Sequence, residues 1–589
     1  MAREMTGAEM VVQTLIDQGV EHIFGYPGGA ALPIYDEIFQ QDKVQHILVR
    51  HEQAAGHAAE GYARSTGKVG VVLVTSGPGA TNMVTPLTDA LMDSVPMVCI
   101  TAQVPTHLIG SDAFQECDTV GITRPCTKHN WLVKRIEDLP KILHEAFRIA
   151  RSGRPGPVVV DIPKDIQFKS GIYENLHDQI LTSYRPNLVG DDRAIRHAVA
   201  LMASAKKPIL YTGGGVINSG PEATRLLREL QHLTGFPLTS TLTGLGAYPA
   251  SGPAWLGMLG MHGTYEANLA MHGCDVMVAI GSRFDDRITG RTDAFSPNSK
   301  KIHIDIDASS FNKNIRIDVP IQGDVAHVLA EMIRIWKETA AAKHDKATLA
   351  PWWKQIEQWR AKKSLGYRKS RDVIMPQTAI ERLYALTKHR ETFITTEVGQ
   401  HQMWAAQYYG FEKPNHWMTS GGLGTMGFGF PAAIGVQVAH PDALVVCVAG
   451  DASIQMNMQE MSTAIQHELP VKVMILNNQY MGMVRQWQQL LHGNRLAHSY
   501  TDAMPDFVKL AEAFGGEGIR ATRPEELDDC IEQMIASKKP VLFDCCVAQM
   551  ANCLPMIPSG KAHNEILLAD DVRDEDIGDV IDAKGKALV

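Results

Sequence analysis

None of the nine cysteines forms a CxxC pair, and several sit inside apolar, strand-like runs. That excludes a disulfide framework and a cysteine-ligated zinc site, and it reads as buried thiols in a reducing compartment. There is no basic block: 56 Lys and Arg stand against 65 Asp and Glu, a net charge of -9. No phosphate-backbone footprint follows from that balance, so nucleic acid is excluded as a partner. No apolar run reaches membrane-spanning length, and the opening MAREMTGAEMVVQTLIDQGV lacks the apolar core and cleavage site of a signal peptide. It reads as an amphipathic helix capped near Thr6, and the expectation is a soluble, cytoplasmic protein with no membrane partner. The remaining composition, 45% apolar and 21% charged, is that of a globular protein. At 589 residues it exceeds what one core serves, so three domains are expected.

Short β-branched runs alternate with Ala-rich helical stretches, the pattern of parallel α/β domains. Three blocks are drawn, residues 1–184, 185–345 and 366–560, followed by a tail, 561–589, whose segment Asp570 to Asp582 is strongly acidic. GYARSTGKVGVVLVTSGPGATN in the first block echoes GFPAAIGVQVAHPDALVVCVAGDASIQMN in the third. Both read as helix, linker, apolar strand and Gly-containing turn, which suggests two related units flanking a different middle one.

The run ALVVCVAGD ends at Asp451, and VKVMILNN ends at Asn477-Asn478, so both polar groups sit at the carboxyl ends of apolar strands. Open α/β sheets bind ligands there, and a carboxylate with an amide oxygen suits a hard divalent cation. Taken alone, Asp451 reads rather as a cap for the helix that follows and Asn478 as a turn residue; together, at this spacing, they are more specific. In the first block, HILVRHEQAAGHAAEGYAR reads as a strand ending at Glu52, then a helix of small residues. Glu52 is open to two readings, a functional carboxylate or a charge favoured at a helix N-terminus.

A Gly-Asp pair followed some 25 to 30 residues later by Asn-Asn resembles the signature of thiamine diphosphate enzymes, with Ala452 where that signature usually has Gly. The resemblance implies Mg²⁺ held by Asp451, Asn478 and the Tyr480 carbonyl, with Gly450, Ala452 and Ser453 beside the diphosphate. It places Glu52 against the aminopyrimidine ring, with Pro78 and Asn82 of TSGPGATN nearby. Gly399, Gln400 and His401 of EVGQHQ would line ring and diphosphate with Gly424, and Met426 would be the wedge that bends the cofactor. Read without the resemblance, Met426 is a core residue. Because such enzymes draw Glu52 from one subunit and the diphosphate site from another, at least a homodimer is implied, with a tetramer equally open.

The ordered set YPGGAALPIYD, SDAFQE, GRPGPVVVDIPKD, LGMHGT, RFDDRITG and NNQYMGMVRQWQ narrows the resemblance to the catalytic large subunit of acetohydroxyacid (acetolactate) synthase. The implied fold is three parallel-sheet domains: a pyrimidine-binding unit, a central FAD-binding unit and a diphosphate- and Mg²⁺-binding unit. The glycines of ILYTGGGVI permit close backbone approach to a nucleotide. By resemblance, Arg154, Gly214, Gly215, Thr241, Leu242, Met261, His262, Gly281, Arg283, Asp285, Asp305, Ile306 and Asp324 contact a structural, non-redox FAD. The implied reaction decarboxylates pyruvate and joins the two-carbon unit to pyruvate or 2-oxobutyrate. Arg287 would pair with the acceptor carboxylate, and Trp487 and Met483 would flank its side chain. Gly29, Phe114, Gln115, Lys164 and Asp286 match further active-site positions. The competing readings are a core face for Met483 and Trp487 and surface ion pairs for the charged residues. A small regulatory subunit is the implied partner.

Overall fold

The computed structural model describes residues 3–176 and 184–569, so the acidic stretch Asp570 to Asp582 lies outside the described residues. Three six-stranded sheets, parallel in every pairing, dominate the chain. In the first, the spatial order is Gln45–Leu48, His22–Tyr26, Gly70–Val74, Met97–Gln103, Pro157–Pro163, His129–Leu132. In the third it is Trp417–Met418, Thr392–Thr396, Leu444–Gly450, Lys472–Asn477, Val541–Cys546, Glu517–Ala521. Numbered along the chain, both run 2-1-3-4-6-5, so the two outer units share one topology. The echoed sequences contain the third strand of each sheet and the helix before it. The middle sheet runs Trp255–Met258, Leu238–Ser240, Pro208–Thr212, Val276–Ile280, Lys300–Asp305, Val319–Gln322. That order, 3-2-1-4-5-6, belongs to doubly wound dinucleotide-binding sheets, whose ligand lies where the order reverses.

Strands such as VVLV and VVCVAG are apolar throughout because helices cover both faces of a parallel sheet, and Val71–Val74 and Val445–Gly450 are buried. A two-stranded antiparallel ribbon, Arg3–Thr6 with Ser170–Tyr173, fastens the start of the chain to the end of the first unit. Thr6 then caps helix Gly7–Asp17, its hydroxyl accepting the Glu9 N–H while the Glu9 carboxylate accepts the Thr6 N–H. Helix Ala350–Arg360, beyond residue 345, packs Trp352 and Ile356 into the middle unit, and Trp352 Nε1 donates to the Pro208 carbonyl at 3.0 Å. All nine cysteines are free. No helix among the described residues is long and apolar enough to cross a membrane.

The outer units meet through helices Glu52–Thr66 and Gly429–Ala439. An ideal Cβ at Gly61 would stand 2.1 Å from the Ala432 carbonyl oxygen, and one at Gly435 would stand 1.8 Å from that of Ala58. The backbones touch at these two points, which only hydrogen side chains permit. At the same junction Asn415 Nδ2 donates to the Arg64 carbonyl at 2.6 Å, and Arg64 Nη1 donates to the Thr419 carbonyl at 2.6 Å.

Candidate functional site

The strand Leu444–Gly450 ends where the chain turns into the short helix Asp451–Ile454. Asp451 is 1% exposed; its Oδ1 accepts the Ala452 N–H at 3.1 Å, and its Oδ2 has no hydrogen-bond partner among the described residues. Burial pushes this carboxyl up to about 7. Asn478, just past Lys472–Asn477, accepts the Tyr480 N–H on Oδ1 at 3.1 Å. Its Nδ2 points to Gln400 Oε1 at 3.5 Å, and Gln400 Nε2 donates to Gln486 Oε1 at 2.8 Å. His401, whose ring stands 2.8 Å from where a Gly450 Cβ would be, is held neutral by burial, at about 3, with Nε2 unpartnered. An orphaned carboxylate oxygen beside an amide and a backbone turn is an oxygen donor set that fits Mg²⁺.

These groups open into one cavity of about 610 Å³ that runs from the third unit into the middle one. The third unit contributes Gly399, Gln400, His401, Gly424, Met426, Gly450, Asp451, Ala452, Ser453, Asn478 and Tyr480. The switch point of the middle sheet contributes Gly214, Gly215 and Gly281, with Thr241 and Leu242 beside them. Gly281 has φ +60°, and an ideal Cβ there would stand 2.7 Å from the Gly215 Cα, so the two glycine turns lie against each other. Arg283, Asp285, Asp305, Ile306 and Asp324 line the same cleft, whose topology and glycine floor fit a dinucleotide. Arg154 reaches it from the first unit, with Nη1 3.3 Å from Asp307 and Nε donating to Ser94 Oγ at 2.8 Å.

The same cavity is also lined by Met261, His262, Asp286, Arg287, Met483 and Trp487. Arg287 is half exposed and, among the described residues, its ion pair is with its neighbour Asp286, at 3.3 Å. Trp487, Met261 and Leu554 each pack against a buried cluster of Leu490, Leu491 and Met556, so the apolar wall is built from three distant segments. His262 is pushed down to about 4 by burial, and its Nδ1 lies 3.2 Å from the Pro555 carbonyl. The segment PSGKAH lies against the same region: His563 Nε2 is 2.8 Å from the Ile288 carbonyl, and the Lys561 carbonyl accepts the Arg291 N–H.

The first unit's candidates gather elsewhere, at the carboxyl ends of its own strands and outside this cavity. Glu52 does not end a strand. The strand stops at Leu48, and Glu52 is the first residue of helix Glu52–Thr66, because His51 Nδ1 accepts the Gln53 N–H and caps it. Asn82 Nδ2 donates to Glu52 Oε2 at 2.9 Å, next to the turn where Pro78 opens a short helix. Gln115 lies against Gly77, Gln167 of the helix opened by Lys164 donates to the Ala30 carbonyl beside Gly29, and Phe114 is 89% exposed. One chain therefore carries two separate groups of candidate residues.

The thiamine pyrophosphate enzyme family matches in three segments: its N-terminal TPP binding domain over residues 5–122, its central domain over 195–332 and its C-terminal TPP binding domain over 397–545. The acetolactate synthase large subunit of Haemophilus influenzae is 51% identical over 571 residues, 96% of this chain and 99% of that protein. The chain belongs to the acetolactate synthase large-subunit family. The Escherichia coli acetolactate synthase isozyme 3 large subunit is 50% identical over 571 residues, 96% of this chain and 99% of its own. The acetolactate synthase of Mycobacterium bovis is 48% identical over 579 residues, with 97% and 93% covered. The central match contains all six strands of the middle sheet, the N-terminal match four of the six strands of the first sheet, and the C-terminal match begins just after Thr392–Thr396 and takes in the rest of the third to within one residue.

Several residues at the site escaped the sequence reading. Glu397, fully buried and pushed up to about 7, accepts N–H groups from Gly427 at 2.6 Å and Phe430 at 3.0 Å, just past Met426. Arg485 is completely buried, donates only to neutral oxygens of Gln489, Ala551 and Asn552, and is drawn down to about 10 by desolvation. Asp93 accepts the N–H groups of Gly421 and Gly422, more than three hundred residues away.

Proposed function

We propose that the protein is an acetohydroxyacid synthase that decarboxylates pyruvate and joins the two-carbon unit to pyruvate or 2-oxobutyrate. The products are 2-acetolactate and 2-aceto-2-hydroxybutyrate. This reaction would serve valine, leucine and isoleucine biosynthesis in the cytoplasm. The observation that carries the reading is the one cavity joining Asp451 and Asn478 to the dinucleotide-type switch point, with Arg287 and Trp487 also in its lining. Thiamine diphosphate, when bound, supplies the electron sink that lets CO₂ leave a 2-keto acid.

The chain's own residues do the rest. Asp451, Asn478 and the Tyr480 carbonyl hold Mg²⁺ with the diphosphate, at the end of an apolar strand that keeps bulk water away. Met426, in the loop that Glu397 fixes through the Gly427 N–H, would press on the bound cofactor. Arg287 offers a planar fork to the acceptor's carboxylate. Trp487 and Met483 form the apolar wall for its alkyl group and exclude protons from the reacting carbon. Gly214, Gly215 and Gly281 would hold FAD in the middle cleft, as a structural group since the net reaction transfers no electrons.

Glu52 moves the proton at the aminopyrimidine ring, and it does so in a second copy of the chain. Its half-site lies outside the cavity, and the exposed Phe114 beside it suits coverage by a partner. The minimal unit is thus a homodimer, and the large-subunit relatives support a small regulatory subunit as a further partner. The test is product analysis with pyruvate, thiamine diphosphate, Mg²⁺ and FAD, with and without 2-oxobutyrate. Acetohydroxy acids without stoichiometric oxygen uptake are expected. Acetate or acetyl phosphate with oxygen uptake would make the chain an oxidase instead.

A further inference from the structure

The glycine-rich stretch Ser420-Gly421-Gly422-Leu423-Gly424 lies between the two cofactor clefts, and all three units grip it. From the first unit, Asp93, whose side chain is 1% exposed, accepts the Gly421 N–H on Oδ2 at 2.8 Å and the Gly422 N–H on Oδ1 at 2.7 Å. Its carboxylate is set by the Arg64 guanidinium, which also holds the Thr419 carbonyl. Asp89, one turn earlier on the same helix, accepts Ser420 Oγ–H at 2.8 Å, and Ser420 Oγ accepts the Thr425 N–H at 2.8 Å. From the middle unit, an ideal Cβ at Gly421 would stand 2.6 Å from Thr243 Cγ2, and one at Gly422 would stand 3.2 Å from Arg283 Nη2. Arg283 lines the dinucleotide cleft, while Gly424 and Met426, two and four residues past Gly422, line the diphosphate end.

We propose that Asp93 is a positioning residue that couples the two clefts through this loop, so that filling the flavin cleft tightens thiamine diphosphate and the reverse. The proposal rests on the cofactor assignment made above. Its physical basis is the entropy of a segment with three glycines in five residues, which is large unless the segment is clamped. Whichever group binds first orders the loop against Asp93, and the second meets a loop already ordered. Linkage then requires the two affinities to rise by one common factor.

The experiment titrates thiamine diphosphate with Mg²⁺ into the full chain, stripped of flavin and then flavin-saturated, and follows binding by calorimetry and amide exchange across residues 419–427. In the wild type, flavin should tighten thiamine diphosphate by at least about tenfold and slow exchange in that segment. Asp93→Asn should bring the factor below about threefold. Because Asn leaves buried Arg64 without its carboxylate, Gly421→Ala is the second variant: it displaces the loop from Thr243 with the ion pair intact. A wild type that binds both groups independently would overturn the coupling alone, as would variants that keep the wild-type factor. A merely structural defect would weaken both affinities and leave their ratio unchanged. A wild type that takes up neither group would overturn the functional reading and the proposal together.

Discussion

Gly435→Ala sets two effects of opposite sign against each other. Helix propensity alone predicts stabilisation, by about 0.5–1 kcal/mol for Gly to Ala in a helix interior. The contact predicts the reverse. The new methyl would stand 1.8 Å from the Ala58 carbonyl oxygen and 2.6 Å from its carbon, both backbone atoms of a buried helix. Reaching 3.0 Å requires a retreat of 1.2 Å, and no side-chain rotation supplies it. Overpacking of this kind costs about 1–3 kcal/mol, so the net expectation is destabilisation. The same retreat pulls Asn415 and Thr419 away from Arg64, which loosens the loop leading to Gly424. The assay is urea unfolding followed by near-UV circular dichroism, with Gly273→Ala as the internal control. At Gly273 the nearest atom, in Trp352, is an ordinary 3.7 Å away, so propensity should prevail. The expected result is a lowered midpoint for Gly435→Ala and an unchanged or raised one for Gly273→Ala. A midpoint for Gly435→Ala at or above wild type would refute the close-contact account of this junction.

Glu52→Gln should keep the fold and bound FAD while lowering acetohydroxy acid formation by roughly 10²–10⁴-fold; unchanged turnover would remove Glu52 from proton transfer. Trp487→Leu should mainly reduce the preference for 2-oxobutyrate over pyruvate, by a factor corresponding to at most about 1–3 kcal/mol, and a wild-type product ratio in a competition assay would contradict it. Glu397 governs a pH dependence: its folded value of about 7 lies above the ordinary 4.5, so the folded chain retains a proton that the unfolded chain has lost. The resulting stability is complete below the lower value and is lost as pH rises through the upper one, at up to about 1.4 kcal/mol per unit. Glu397→Gln should therefore flatten the change in urea stability between pH 5 and 7 by roughly 2–3 kcal/mol, and parallel curves for variant and wild type would refute this.

What the sequence disclosed and what it hid divide along a physical line. Asp451 and Asn478 stood out because each interrupts an apolar run at the end of a strand, and strand ends are where parallel sheets expose their loops. The glycines of the middle sheet were legible for a similar reason, since Gly213–Gly215 follow a strand directly. Glu52 was seen but placed one element too early: HILVRHE continues a β-like pattern, and only the His51 cap shows that the helix has begun. Asp93, Glu397 and Arg485 stayed hidden because their roles are set by partners far along the chain or by burial without a counter-charge. Local pattern carries neither kind of information. The shared strand order of the outer units showed in sequence only as an echo, because packing fixes the order of strands while the alternation of elements fixes merely their number.

The division of the site into two halves, one at the tips of the first sheet and one at those of the third, has a genetic consequence. On the two-chain reading, every active site is written by two gene products. An allele damaged at Glu52 and another damaged at Asp451, expressed in one cell, would assemble mixed pairs in which one site inherits both lesions and the other inherits neither. Two null alleles of this single gene can therefore complement each other, whereas two alleles damaged in the same half cannot.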